Sequence, residues 1–155
     1  MARIACTSLE LSYANLIISN IYGKGESSPR LLNTLIRKMM RGEPADLTEG
    51  RQLYDFIYID DAVRAIAQGI MDDEEGASYY IGNEQQRPLR EWIEEMKDAL
   101  SSTSVLNFGV IPFDGAMLTY REFDHTRLHR KGFVPQVSFS EGVQRTRDWL
   151  LEVEG

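Results

Sequence analysis

The chain's organisation is most readable at Leu53-Tyr54-Asp55-Phe56-Ile57-Tyr58-Ile59-Asp60-Asp61-Ala62-Val63. Leu53 to Ile59 is aromatic and β-branched, the composition of a short buried strand. From Ala62 to Met71 the period changes, and Val63, Ile66, Ala67 and Ile70 form one helical stripe. Asp60 and Asp61 stand at the change. A carboxylate there satisfies free N–H groups of a first helical turn, so one of them is expected to cap the helix.

Toward the N-terminus, Glu49-Gly50 reads as a turn and Leu47-Thr48 as a further short strand. Before it, Leu31, Leu32, Leu35, Ile36, Met39 and Met40 make an apolar helical stripe that Gly42 and Pro44 stop. Pro29 suits a first helical position, with Ser28 as its cap. Tyr22 to Ser28 is a glycine-containing loop, and Leu16-Ile17-Ile18-Ser19 a buried strand. Met1 to Ser12 carries Ile4, Ala5, Leu9 and Leu11 at helical spacing but has no capping residue ahead of it, as if cut within an element.

Toward the C-terminus, Asp72-Asp73-Glu74-Glu75-Gly76 reads as a solvated turn, and Ser78 to Ile81 as a strand closed by Gly82-Asn83. Pro88 opens a helix with Leu89, Trp92, Ile93, Met96 and Leu100 on one face. Val105 to Val110 is a strand, followed by a loop around Pro112 and Gly115. Asp124 is placed to cap a short helix ending at Gly132. Ser138 and Glu141 form a capping-box pattern before a last helix with Val143, Trp149 and Leu150. Strands separated by helices, with no repeat and no linker, predict one domain over 1–155 of α/β or α+β architecture.

Bulk properties narrow the function classes. The 155 residues are 43% hydrophobic and 26% charged, enough for one compact core. The net charge of -7 repels phosphate backbones, so no nucleic-acid partner is expected. The pairs Arg37-Lys38 and Arg130-Lys131 read as a solvated helix face and a helix C-terminus. Cys6 is the single cysteine, which fits a reducing, cytoplasmic setting. No apolar run approaches the ~18 residues of a membrane span, and Met1 to Leu11 lacks a secretory core, so no membrane partner is expected.

Several chemistries lack their residues. Gly23-Lys24-Gly25 is the one candidate for a dinucleotide turn, and Ser28 stands where a third glycine belongs. There is no Gly-Lys-Ser/Thr phosphate loop and no Gly-x-Ser-x-Gly elbow. None of the seven tyrosines is followed by a lysine four residues on. His125 and His129 could begin a zinc site with Asp124 or Glu122. Thr126 excludes the His-Glu-x-x-His form, and the plainer reading is two partly exposed surface histidines.

Four ordered segments resemble the extended short-chain dehydrogenase/reductases, the NAD-dependent epimerase/dehydratase family of nucleotide-sugar type. They are Asn20-Ile21-Tyr22-Gly23-Lys24-Gly25, Asp55 to Asp61, Tyr79-Tyr80-Ile81-Gly82, and Gly132-Phe133-Val134-Pro135 with Ser140-Glu141-Gly142 and Trp149. The resemblance implies the C-terminal portion of a Rossmann-type enzyme that lacks most of the Rossmann sheet. It implies a substrate-binding domain over 1–155, with 1–19 the remnant helix and strand of the Rossmann part. NAD or NADP is implied for the full-length parent, with none bound tightly by this chain, which lacks a cofactor cradle and a Tyr-x-x-x-Lys pair.

The resemblance also implies a nucleoside-diphosphate sugar as ligand. Asn20 matches the family asparagine that contacts it, though taken alone it reads as turn-forming. Leu31 and Leu32 match the start of a helix lining the nucleotide pocket, and Leu47 and Thr48 a strand beside the base; by themselves these leucines read equally as core. Ser19 is placed beside the cofactor. Tyr54 stands where the family often has a diphosphate arginine, and Ile111-Pro112-Phe113-Asp114 puts an acid where a second one often follows. Lys24, Arg51 or Arg121 could compensate. The expectation is an inactive substrate-binding part that joins a missing N-terminal half or self-associates as a homo-oligomer. The alternative is a stand-alone, non-catalytic sugar-nucleotide-binding or assembly module.

Overall fold

The computed structural model describes residues 2–70, 76–115 and 124–154. Met71, the acidic run Asp72-Asp73-Glu74-Glu75, Tyr120, Arg121 and Glu122 lie outside the described residues. The described order is α1(Ala2–Ser8), β1(Asn15–Ile18), β2(Asn20–Tyr22), α2(Leu31–Met40), β3(Ala45–Leu47), β4(Leu53–Tyr54), β5(Phe56–Tyr58), α3(Ile59–Ile70), β6(Ser78–Ile81), β7(Arg87–Pro88), α4(Leu89–Ala99), β8(Leu106–Phe108), α5(Arg127–Arg130) and α6(Phe139–Glu154).

Strand pairing is mostly parallel and crosses over between distant segments. β1 pairs β6, β2 pairs β5 and β3 pairs β8, all parallel, while β4 and β7 are antiparallel. The segment from Asn15 to Tyr22 serves two partners in turn. Ser19 N–H donates to the Ile81 carbonyl at 3.0 Å, and Asn20 N–H to the Asp55 carbonyl at 3.1 Å. The result is a mixed α/β fold.

β5 explains how the core is divided. Its three residues are all buried, and because successive side chains leave opposite faces of a strand, they enter two clusters. Phe56 and Tyr58 join Leu32, Ile36, Trp92 and Val143 between α2, α4 and α6. Ile57 joins Ala62, Ala65, Tyr79, Ile81 and Leu128 between α3, α5 and β6. Trp92 is fully buried, and its indole N–H donates to the Tyr54 carbonyl at 3.0 Å.

Several local expectations are corrected. α3 begins at Ile59, so Asp60 and Asp61 lie in its first turn instead of capping it. The Asp61 carboxylate instead accepts the backbone N–H groups of Gln136 at 3.0 Å and Val137 at 2.9 Å, and pairs with Arg64. The buried α3 stripe is Ala62 and Ala65 with Ile66 alongside, whereas Val63 is exposed. Small residues are needed there because α3 lies tight on β6; a Cβ at Gly69 would come within 3.4 Å of the Tyr79 ring.

α2 begins at Leu31 with Arg30 at its cap and no side-chain capping bond, so Ser28 and Pro29 do not start it. Ser28 is drawn back into the loop, its N–H donating to the Glu26 carboxylate at 2.9 Å. At α6, Glu141 N–H donates to Ser138 Oγ at 3.2 Å, but the Glu141 carboxylate goes to Arg145, so only half the capping box forms. Arg37 is not a solvated charge; it pairs with Glu154 and joins α2 to α6.

Candidate functional site

A cavity of about 190 Å³ opens where β1 gives way to β2, facing the first turn of α2 and the β4–β5 corner. Ser19, Asn20, Leu31, Leu32 and Tyr54 all line it, so five of the seven residues singled out from the sequence come together. Leu47 and Thr48 do not line it. Leu47 is buried in the core of β3. Thr48 Oγ1 accepts the Gly50 N–H at 3.2 Å and the Gln52 side-chain amide at 2.9 Å, which stabilises the turn between β3 and β4.

The strand end holds Asn20 by both of its donors. The backbone N–H and the side-chain amide give hydrogen bonds to the Asp55 carbonyl, the latter at 3.3 Å. Its side-chain carbonyl is left without a partner among the described residues, as an acceptor beside the cavity. Ser19 Oγ is buried and has no hydrogen-bond partner among the described residues. Tyr54 stacks on Phe56 with ring centroids 5.4 Å apart and planes 21° apart, which gives the cavity an aromatic wall.

Arg30 also lines the cavity, and it is the one Lys or Arg among the lining residues. Its side chain is 74% exposed, with Nε 3.5 Å from the Glu26 carboxylate. Sequence reasoning missed it because one arginine ahead of a helix looks like any surface charge. α2 has no acid in its first turn, unlike α3, α4 and α6, and the carboxylate near its N-terminus is that of Glu26 on the same wall. Of the proposed compensating cations, Lys24 sits in a neighbouring depression shared with Arg30. Arg51 pairs with Glu49 at 2.8 Å beside a separate depression that includes Ile111, Pro112 and Phe113.

Two buried carboxylates, Asp55 and Asp61, hold distant segments of backbone in place, a role the sequence reading gave to neither. Asp55 is 3% exposed and accepts hydrogen bonds from Tyr80 Oη and from the N–H groups of Asn83 and Glu84. Asp61 anchors the 136–137 backbone. A doublet of acids between a strand and a helix gives no hint that it will reach so far along the chain. His129 lies on α5 with Nδ1 3.4 Å from Glu84 Oε2, while His125 precedes that helix. Burial raises the Glu84 carboxyl above its ordinary value, and His129 and His125 oppose that rise. Among the described residues no group of three or more His, Cys, Asp or Glu is placed to hold a metal ion, and no helix is long and apolar enough to cross a membrane.

With the geometry in place, three comparisons bear on it. The family model described as "NAD dependent epimerase/dehydratase family" matches residues 1–82. CDP-abequose synthase of Salmonella muenchen is 28% identical over 139 residues, 88% of this chain and 47% of that protein. UDP-N-acetyl-alpha-D-glucosaminuronate decarboxylase of Bacillus cytotoxicus is 27% identical over 148 residues, 87% of this chain and 45% of that protein. Among solved structures, UDP-glucuronic acid 4-epimerase of Bacillus cereus, in complex with UDP-glucuronic acid and NAD, is 21% identical with a TM-score of 0.79. The match covers 97% of this chain and 48% of that one. UDP-N-acetylglucosamine 4-epimerase of Methanobrevibacter ruminantium, in complex with UDP-N-acetylmuramic acid, is 22% identical with a TM-score of 0.79. It covers 98% of this chain and 50% of that one. The structural likeness is one of fold. The chain spans about half the length of the curated relatives it matches.

Proposed function

Because the chain belongs to the NAD dependent epimerase/dehydratase family, we propose that it forms the substrate-binding part of an NAD(P)-dependent enzyme that acts on a nucleoside-diphosphate sugar. The observation that carries this is the shared cavity of Asn20, Leu31, Leu32 and Tyr54 at a strand end, the usual place for a ligand in an open α/β sheet. Its polar and aromatic walls suit a ligand that has both hydroxyl groups and a flat ring. At about 190 Å³ it falls below the ~300–1,000 Å³ of sites that enclose a whole drug-sized ligand. It therefore takes one portion of a nucleotide sugar, and the remainder extends beyond it.

The dinucleotide named in the family's description does not fit these residues alone. A pyrophosphate needs backbone N–H groups from a glycine-rich strand-to-helix turn, and Gly23-Lys24-Gly25 ends in a loop whose third position is Ser28. The unpartnered Ser19 hydroxyl offers one hydrogen bond to such a group and no cradle. No tyrosine–lysine pair is present to move a proton at a sugar carbon. We therefore propose that the chain by itself is inactive, shaping the pocket and excluding water. The cofactor cradle and the phenol would come from a partner segment, the N-terminal half in the family's pattern.

A surface for such an association exists. β1 pairs only with β6 among the described residues. Ile4, Leu9, Leu11 and Ile18 are 72%, 67%, 54% and 51% exposed, and apolar surface and unpaired strand edges invite a partner. A second copy of the chain would serve as well as a dinucleotide-binding half, and self-association at high concentration is the expected behaviour of the isolated protein. A stand-alone binding module is the second reading, favoured by a cavity whose wall needs no other chain. Titration of CDP-, UDP- and dTDP-sugars into the purified chain tests both readings. Binding that weakens in Asn20→Ala supports them, and absence of binding at millimolar ligand sinks them. Low-micromolar NAD binding by the chain alone would overturn the claim that it lacks the cradle.

A further inference from the structure

We propose that Glu84 and His129 form a proton-operated latch that holds residues 124–133, with α5 at their centre, against the loop after β6. The latch is closed while the imidazole carries its proton and loosens when that proton leaves. Glu84 follows β6 and His129 lies in α5, with Nδ1 3.4 Å from Oε2. Both are mostly buried, the Glu84 side chain 19% exposed and that of His129 29%. Glu84 Oε1 and His129 Nε2 are buried with no hydrogen-bond partner among the described residues. Each group therefore relies on the other for charge compensation.

The backbone on both sides suits a device of this kind. Glu84 has a φ of 54°, a left-handed conformation that residues with a side chain seldom adopt. Asp55 keeps it there by accepting the Glu84 N–H at 3.1 Å. Glycine would hold that conformation with less strain, so the carboxylate at this position needs a use, and the imidazole gives it one. Across from it, α5 has four residues, too few to be stable alone. Leu128 and Phe133 fix its apolar side in the core, and Gln68 holds the Lys131 carbonyl at 3.0 Å. The His129 ring meets Phe133 edge-on, with centroids 5.9 Å apart. A change of charge at His129 thus acts on a segment with little stability of its own.

The surrounding charges set the direction. His129 faces Glu84 from α5, His125 and Asp124 from the segment ahead of it, and Asp55 from the β4–β5 corner. Of the neighbouring arginines, Arg87 turns to Glu95, Arg130 to Asp124, and Arg127 lies over the Tyr79 ring. Imidazole is the side chain whose charge ordinarily changes between about pH 5 and 8. Once His129 is neutral, the Glu84 carboxylate is left beside Asp55 and Asp124, and a buried anion without its cation is costly. Burial raises the Glu84 carboxyl above its ordinary value, and His129 leads the causes that oppose the rise. A group raised in the folded state contributes stability that is lost as pH rises. The latch therefore loosens toward alkaline pH.

Hydrogen exchange in the 155-residue chain tests the latch. It is followed by NMR from about pH 5 to 8, the range of imidazole titration, and corrected for the pH dependence of free amides. The probes are the Gly132 and Phe133 amides, which donate to the His129 and Leu128 carbonyls, with the α4 amides as reference. Wild-type protection of the probes is expected to fall about tenfold relative to α4 as pH rises, the size of a one-unit linkage. Glu84→Gln and His129→Gln should abolish the fall. His129→Lys, a cation throughout the range, should keep the probes protected to the top of it, which a plain packing contact would not do. The proposal is overturned if wild-type protection keeps step with α4, or if Glu84→Gln retains the fall. It is equally overturned if His125→Gln removes the fall and His129→Gln does not, or if His129→Lys loses protection as the wild type does. No ligand enters this test, so its outcome is separate from the reading of the cavity.

Discussion

The Asp55 carboxylate accepts the Tyr80 hydroxyl hydrogen at 2.8 Å, joining the corner between β4 and β5 to strand β6. The same carboxylate takes the Asn83 and Glu84 N–H groups, both at 3.1 Å. Its backbone carbonyl meanwhile holds Asn20. One residue therefore fixes the loop after β6 and the cavity's asparagine together. Gly82 is required beside it, since a Cβ there would strike the Tyr80 ring and come within 2.5 Å of the Asp55 carboxylate.

Removal of this anchor leaves buried donors unpaired. Asp55→Ala is expected to lower stability by about 3 kcal/mol, and Tyr80→Phe by about 1 kcal/mol, since unsatisfied buried groups cost more than a hydrogen bond returns. Urea unfolding gives both values. Asp55→Ala should also weaken ligand binding at the cavity; equal affinity in the two proteins would show that the anchor and the site are independent.

Gly142 lies under the Tyr22 phenol, where a Cβ would meet the hydroxyl and come within 2.9 Å of the Tyr58 ring. Alanine in a helix normally gains about 1 kcal/mol over glycine, but overpacking costs about 1–3 kcal/mol. Gly142→Ala is therefore expected to be destabilising overall. Tyr22→Phe removes the obstructing oxygen along with its hydrogen bond to the Phe139 carbonyl at 3.2 Å. In a double-mutant cycle, Gly142→Ala should cost less on the Tyr22→Phe background, and strict additivity would refute the clash.

The Arg130 side chain, with the Thr126 N–H, holds the Asp124 carboxyl down at about 2 from an ordinary 3.8. A depressed carboxyl contributes stability that is present above its unfolded value and lost as pH falls through the folded one. The stability difference between wild type and Asp124→Asn should therefore be constant from neutral pH to about pH 4. It should shrink between there and about pH 2, as seen in thermal melts across that range. A difference that stays constant down to pH 2 would show that the interaction does not discriminate between the charge states.

The fold was legible wherever a period or a turn residue is local. Phe56-Ile57-Tyr58, the α4 face of Leu89, Trp92, Ile93 and Met96, and the strand Ser78 to Ile81 are all where hydrophobic pattern puts them. The start of α2 was misplaced because Ser28 and Pro29 satisfy a local rule that the loop overrides through Glu26. Asn33 adds to this, its side-chain amide donating to the Glu26 and Ser28 carbonyls. Asp61 was misread for a related reason. A carboxylate at a strand–helix junction caps by local logic, but its real partners, Gln136 and Val137, lie at a sequence distance that no window spans.

The candidate site was legible through resemblance more than through chemistry. Asn20, Leu31 and Tyr54 carry no spacing signature, and they meet only because β2, α2 and β4 converge. Arg30, which lines the same cavity, had no signal in the sequence.

β5 is three residues long, yet it is the partition between both apolar reservoirs. Neither reservoir can melt without exposing the other, so opening of either half is an opening of the whole. The Ile57 amide should then exchange with deuterated water only through global unfolding, at a rate set by the total free energy of the molecule.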